Sequence, residues 1–117
     1  MTVLATREGL VGHATASGWI IDTETFFVAL PSTRALGRIV KVTNPANGKT
    51  CQAEVKDVGP WNTHDDLYVF HGERPAAELG HSVSGYGTNG AGIDLGEAVW
   101  KALGMKDNAP VDWEFLG

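Results

Sequence analysis

The segment 37–61, GRIVKVTNPANGKTCQAEVKDVGPW, constrains the fold more than any other stretch of the chain. Its first half carries the β-branched run Ile39, Val40, Val42 and Thr43, interrupted by Arg38 and Lys41 as a half-buried strand allows. Asn44-Pro45-Ala46-Asn47-Gly48 then forces a reversal, because proline fixes its own φ and Asn-Gly accepts positive φ at low cost. The returning run alternates, with Cys51, Ala53 and Val55 on one face and Gln52, Glu54 and Lys56 on the other. Continued, that period puts Asp57 on the apolar face. Val58-Gly59-Pro60 stops the strand there, since proline lacks the ladder donor. A carboxylate is therefore expected at a strand end, facing inward.

Around this hairpin, 9–15 suggests a first strand, 22–24 a turn, and the apolar run Phe26 to Leu30, closed by Pro31, a buried second strand. Residues 62–92 read as a long irregular section with one short strand at 67–70, and its most glycine-dense part is 84–92. No lysine follows those glycines at the position a phosphate-cradling loop requires. Asp94 and Glu97 resemble a capping box, and Leu95, Ala98, Val99, Ala102 and Leu103 recur at helical spacing before Gly104. After a turn at Asn108-Ala109-Pro110, Val111, Trp113 and Phe115 alternate inward along a last strand. The plan is mostly β with one helix, over a single domain spanning 1–117.

Fifteen glycines, roughly twice the average usage of about 7%, favour a turn-rich β fold. A net charge of -5 with dispersed Lys and Arg argues against nucleic acid as a partner. The lone Cys51 precludes an internal disulfide and reads as a small core residue. No leader-like segment is visible at the N-terminus, and no apolar run has the roughly 20 residues needed to span a bilayer.

TASG near the start, ALG before RIVKVTN, the NPANGK turn, VKDVGPW, GIDLGEAVWKALGM and the closing VDWEFL occur in an order that resembles the double-psi β-barrel of the rare lipoprotein A type. That group is related to barwin, expansin and three-aspartate cell-wall domains. The resemblance implies a six-stranded barrel with an open groove, an extracellular or cell-envelope location, and peptidoglycan or another polysaccharide as partner. His13, His64, His71 and His81 lack a metal-ligand spacing, so no metal is expected; no cofactor is expected either, and the chain is expected to be a monomer. Asp57 matches the acidic residue of the family's Asp-Arg-Gly-Pro segment, whose arginine is Val58 here, and Asp94 matches the aspartate opening the family helix. Lytic members carry a glutamate just after the Thr-Ala-Ser/Asn-Gly turn and a histidine before the third strand; Trp19 and Pro31 stand there in this chain.

The activity so implied is that of a lytic transglycosylase cleaving glycan strands, with one aspartate as acid and base. Asp57 and Asp94 are the candidate catalytic residues; Thr15, Ser17, Trp61, Tyr68 and Tyr86 are the candidate substrate contacts. A general acid needs a pKa raised toward neutrality, which burial against apolar neighbours supplies. The alternative for Asp57 is a structural acceptor for loop N–H groups, and for Asp94 a helix cap. Hydrolysis would instead require a second carboxylate about 5–9.5 Å from the first, with Asp94, Asp22, Asp65 and Asp66 as candidates. The departures at Trp19 and Pro31 support a second reading, a non-catalytic module that binds cell-wall polysaccharide.

Overall fold

A computed structural model describes residues 1–117. Six strands close into a barrel: β1 (Thr2–Arg7), β2 (Phe27–Leu30), β3 (Ile39–Thr43), β4 (Thr50–Val58), β5 (Ile93–Leu95) and β6 (Ala109–Phe115), in the spatial order β1-β5-β2-β4-β3-β6. The β1–β5 and β2–β4 pairs are parallel and the remaining four are antiparallel. Closure leaves no free sheet edge. A core of Val3, Ala5, Val28, Leu30, Val40, Val42, Val55, Ile93, Leu95 and Val111 fills the interior. The expected six-stranded barrel is the observed one.

The central hairpin forms as its residues dictate. β3 and β4 pair from Ile39↔Glu54 to Thr43↔Thr50, and Gly48 closes the turn at φ +74° with its N–H on the Asn44 carbonyl (2.8 Å). Asn44 and Asn47 then send their side-chain amides to the Leu103 carbonyl at 2.9 and 3.0 Å. The turn thereby satisfies a carbonyl left open at the end of α2 (Glu97–Ala102).

Five local expectations are corrected. The first strand is 2–7, not 9–15: Gly9, Leu10 and Gly12 all have positive φ, which takes three of that segment's first four residues out of the extended region. Residues 67–70 belong to a helix, α1 (Asp66–His71), ended by left-handed Gly72; the consecutive residues Tyr68 and Val69 are buried, not alternate ones. With a 3-10 turn at Ala76–Leu79, residues 62–92 contain more regular structure than one irregular loop. The capping box fails because Asp94 lies in β5 and Gly96 is the N-cap of α2. At Gly96 a Cβ would come within 2.3 Å of Phe27, so contact with the second strand selects glycine there. The last strand begins at Ala109 and includes Pro110, which pairs with β1 at a point β3 does not reach.

Candidate functional site

β2 holds the site together from its middle. Ala29 is in register with Asp57 of β4 on one side and with Asp94 of β5 on the other. The β2–β4 register shifts between Val28 and Ala29, so that Lys56 is an extra residue and the alternation that placed Asp57 with Ala53 and Val55 is interrupted. Ala53 and Val55 are buried while Asp57 is half-buried. The bulge moves a carboxylate out of the core pattern and against the neighbouring loop.

That loop is the turn Thr15-Ala16-Ser17-Gly18. Gly18 takes φ +83° and donates to the Thr15 carbonyl at 2.9 Å, exposing the intervening N–H of Ala16. Ala16 N–H donates to Asp57 Oδ1 at 2.9 Å, and Val58 N–H donates to the same oxygen at 2.8 Å. Ser17 Oγ donates to the Lys56 carbonyl at 2.7 Å and lies 2.9 Å from Thr15 Oγ1. Thr15 itself is buried and Ser17 exposed.

Asp94 accepts a hydrogen bond from Thr6 Oγ1 through Oδ1. A Cβ built on Gly59 would lie 3.7 Å from Asp94 Oδ2, so the Gly59 backbone roofs this carboxyl closely. Burial pushes the Asp94 carboxyl up to about 6, with the Thr6 hydrogen bond opposing and the Asp57 charge reinforcing the rise. Asp94 is thus poised to exchange a proton near neutral pH.

A third carboxyl was not anticipated from the sequence. Glu8 follows β1 directly, and its N–H donates to the Leu95 carbonyl at 2.8 Å, continuing the β1–β5 ladder. Its Oε2 is enclosed with no donor facing it. Burial, then a hydrogen bond with Asp57 and the charges of Asp94 and Asp57, push its carboxyl up to about 9. Two ionised carboxylates cannot hydrogen-bond to each other; a proton on Glu8 provides the donor that the pair lacks. The signal was present in the alternation of Val3 and Ala5, which puts Thr6 and Glu8 together on the other face. A first strand placed at 9–15 leaves Glu8 outside it.

Residues 1–80 match the model of a family described as a domain of unknown function, DUF8814. The chain belongs to the DUF8814 family. The match takes in Glu8 and Asp57 and ends before Asp94. No curated protein matches this DUF8814 chain. It is similar in structure to cerato-platanin 3 from M. perniciosa, at 12% identity and TM-score 0.59 over 100% of this chain and 95% of the other. The Streptomyces papain inhibitor matches at 19% and 0.54, over 97% and 92%. A point mutant of Clavibacter michiganensis expansin in complex with cellohexaose matches at 19% and 0.52, over 100% of this chain and 51% of the expansin chain. With the closed six-stranded topology, these likenesses establish the DUF8814 chain as a double-psi β-barrel.

The other anticipated site residues of the DUF8814 chain fall in three places. Trp61 stands two residues beyond Gly59, 44% exposed, in the left-handed region at φ +70°, with Nε1 donating to Asn89 Oδ1 at 3.0 Å. Tyr86 is exposed on the 80–92 turn, where its N–H donates to Ser82 Oγ. Tyr68 is the exception. It is only 2% exposed, its hydroxyl donates to the Gly92 carbonyl and accepts from Trp113 Nε1, and it has no face to offer a substrate. The remaining aspartates are engaged elsewhere: Asp22 closes its own turn onto Glu24 and Thr25, Asp65 accepts from Ala76 N–H, and Asp66 pairs with Ser32 and Arg34.

Proposed function

We propose that this chain binds cell-wall polysaccharide across the mouth of the barrel at Asp57 and Asp94, and that it cleaves peptidoglycan glycan strands by the lytic route. The observation that carries the reading is the placement of Asp57 and Asp94 on either side of Ala29, with Glu8 at the end of β1 near enough for both their charges to act on it. Asp94 is the proton carrier. Its carboxyl proton passes to the glycosidic oxygen as the C1–O bond breaks. The resulting carboxylate then takes the proton of the 6-hydroxyl on the same muramyl residue as O6 bonds to C1. The product is a 1,6-anhydro ring, and no water is consumed. Asp57, fixed by Ala16 and Val58, supplies the negative charge that stabilises the oxocarbenium-like transition state. Trp61 offers a ring face for a sugar beside it.

Incubation with denuded glycan strands, read by mass spectrometry, tests the chemistry. Anhydro-muramyl ends are expected from the wild type and a fall of at least about a hundredfold from Asp94→Asn, the scale of general acid–base contributions. Products carrying reducing ends, or undiminished release by Asp94→Asn, would reject the lytic route.

A second reading, binding without turnover, is favoured by Trp19. Where lytic members carry glutamate, its ring packs edge-on against Phe27 at 4.8 Å and lies 5.1 Å from Lys56 Nζ. A structural relative, the expansin, was solved with cellohexaose bound. Retention on insoluble cell walls with no released products would favour this reading. An extracellular or envelope location accompanies either proposal.

A further inference from the structure

Beside Trp61, on the side formed by the 62–92 segment, lies a cavity of about 220 Å³ lined by Trp61, Asn62, His64, Ala76, Val83 and neighbouring residues. Asn62 is 5% exposed, so it is part of the wall and not a surface side chain. Its Oδ1 accepts from Val83 N–H at 2.9 Å, which fixes the orientation of the amide. Its Nδ2 has no acceptor. A buried amide donor left unpaired is a standing deficit that a matching acceptor removes.

We propose that this cavity is a specificity pocket for the acetamido group of an N-acetylated sugar, its carbonyl oxygen accepting from Asn62 Nδ2 and its methyl resting on Val83, Ala76 and the Trp61 ring. An acetamido group combines a carbonyl acceptor, an N–H donor and a small apolar end, and the cavity lining holds a complement to each: Asn62 Nδ2, the Asp65 carboxylate, and the Val83, Ala76 and Trp61 side chains. Nδ2 is sealed in the free chain, so the carbonyl reaches it as the outer wall yields. That wall is made by the side chains of Val83 and Ser84; Val83 is 88% exposed, so its side chain is free to swing aside while its N–H stays on Asn62 Oδ1. The strained backbone at Trp61 places the indole at the cavity rim, and its bond to Asn89 holds the ring there. Trp61 also follows Gly59, which covers Asp94, so a chain of sugars over Trp61 joins the pocket to the carboxyl cluster.

The inference rests on the glycan-binding reading, and titration with two oligomers separates the two. Chitohexaose and cellohexaose differ at the 2-position, acetamido against hydroxyl. Calorimetry on the intact chain is expected to show chitohexaose binding at least about tenfold more tightly. Asn62→Asp keeps the acceptor for Val83 N–H and removes the donor; it is expected to abolish that preference and leave cellohexaose affinity unchanged. In the wild type, the Asn62 side-chain amide resonances are expected to shift with chitohexaose and not with cellohexaose, which requires no variant to fold. Equal affinity for the two oligomers overturns the pocket and leaves the glycan reading standing. Absence of binding to both overturns the two together. A preference that survives Asn62→Asp in a folded variant, or silent Asn62 resonances, overturns the assignment to this cavity.

Discussion

Asp57 and Asp94 are both in register with one residue, Ala29, from opposite sides of β2. Adjacent strands lie about 4.8 Å apart, so the two backbones are separated by two strand spacings, and the carboxyls can close that gap only over a short side chain. Ala29 is 1% exposed. Ala29→Leu is therefore expected to destabilise the fold by about 1–3 kcal/mol through overpacking, and to lower the raised Asp94 pKa by separating the charges. Chemical denaturation and a carboxyl-carbon NMR titration measure the two effects. An Asp94 midpoint unchanged from wild type would mean that the charges do not interact across Ala29.

The same cluster makes stability depend on pH in a defined direction. Glu8 and Asp94 hold their protons more tightly in the folded chain, at about 9 and about 6 against ordinary values of 4.5 and 3.8. Their contribution is complete below pH 4 and is lost as pH rises, with both carboxyls contributing to the fall up to about 6, where the Asp94 loss is complete, and Glu8 alone from there to about 9. The Asp94 step is on the order of 3 kcal/mol. Asp94→Asn is expected to flatten the melting-temperature profile between pH 4 and 6. Glu8→Gln, which keeps a donor for Asp57, flattens it from about pH 4.5 to 9 and leaves only the Asp94 slope below 6. Melting temperatures that rise across the whole window would contradict the assignment.

Gly96 and Gly37 separate steric from conformational demands. A Cβ at Gly96 meets the Phe27 ring at 2.3 Å, whereas Gly37 has open space around it and needs only its φ of +85°. Gly96→Ala is expected to cost about 3 kcal/mol or more, by overpacking at its severe end, and Gly37→Ala about 1 kcal/mol. Denaturation midpoints of the two variants check the order, and a costlier Gly37→Ala would invert it.

Asn44 and Asn47 both donate to the Leu103 carbonyl, and Asn44 is 6% exposed. Asn44→Ala is expected to lose about 1–3 kcal/mol, since it empties a buried site and leaves the carbonyl one partner short. Asn47→Ala is expected to cost less, because Asn47 is exposed on the turn. Hydrogen exchange at the end of α2 should accelerate more in the first variant; equal exchange would show that the hairpin does not secure the helix.

Trp61 holds a conformation that glycine would adopt without strain, worth on the order of 1–3 kcal/mol for a bulky residue. Trp61→Gly is expected to leave the melting temperature within a few degrees of wild type, the relieved strain offsetting the lost Asn89 bond, while retention on insoluble glycan falls at least about tenfold. Undiminished retention by a folded Trp61→Gly chain would remove the indole from the binding surface.

Much of this protein was legible from residue pattern because its determinants are local. Asn47-Gly48 specifies a reversal, the alternation of Ala53 and Val55 specifies a half-buried strand, and Pro60 specifies its end; each acts within a few bonds, and the barrel uses all three as anticipated. Tertiary contact decided the rest. Whether 67–70 was strand or helix depended on Tyr68 reaching Gly92 and Trp113, and Gly96 became a helix cap because Phe27 leaves no room for a side chain. Asp57 stands out in the sequence by its place before Gly59-Pro60, whereas the sequence marks Glu8 only as a residue sharing the Thr6 face of a first strand. Glu8 acquires its chemistry only when the end of β1 is laid beside β5 and enclosed with Asp57 and Asp94, because desolvation and charge proximity belong to the assembled barrel and not to any run of residues within it.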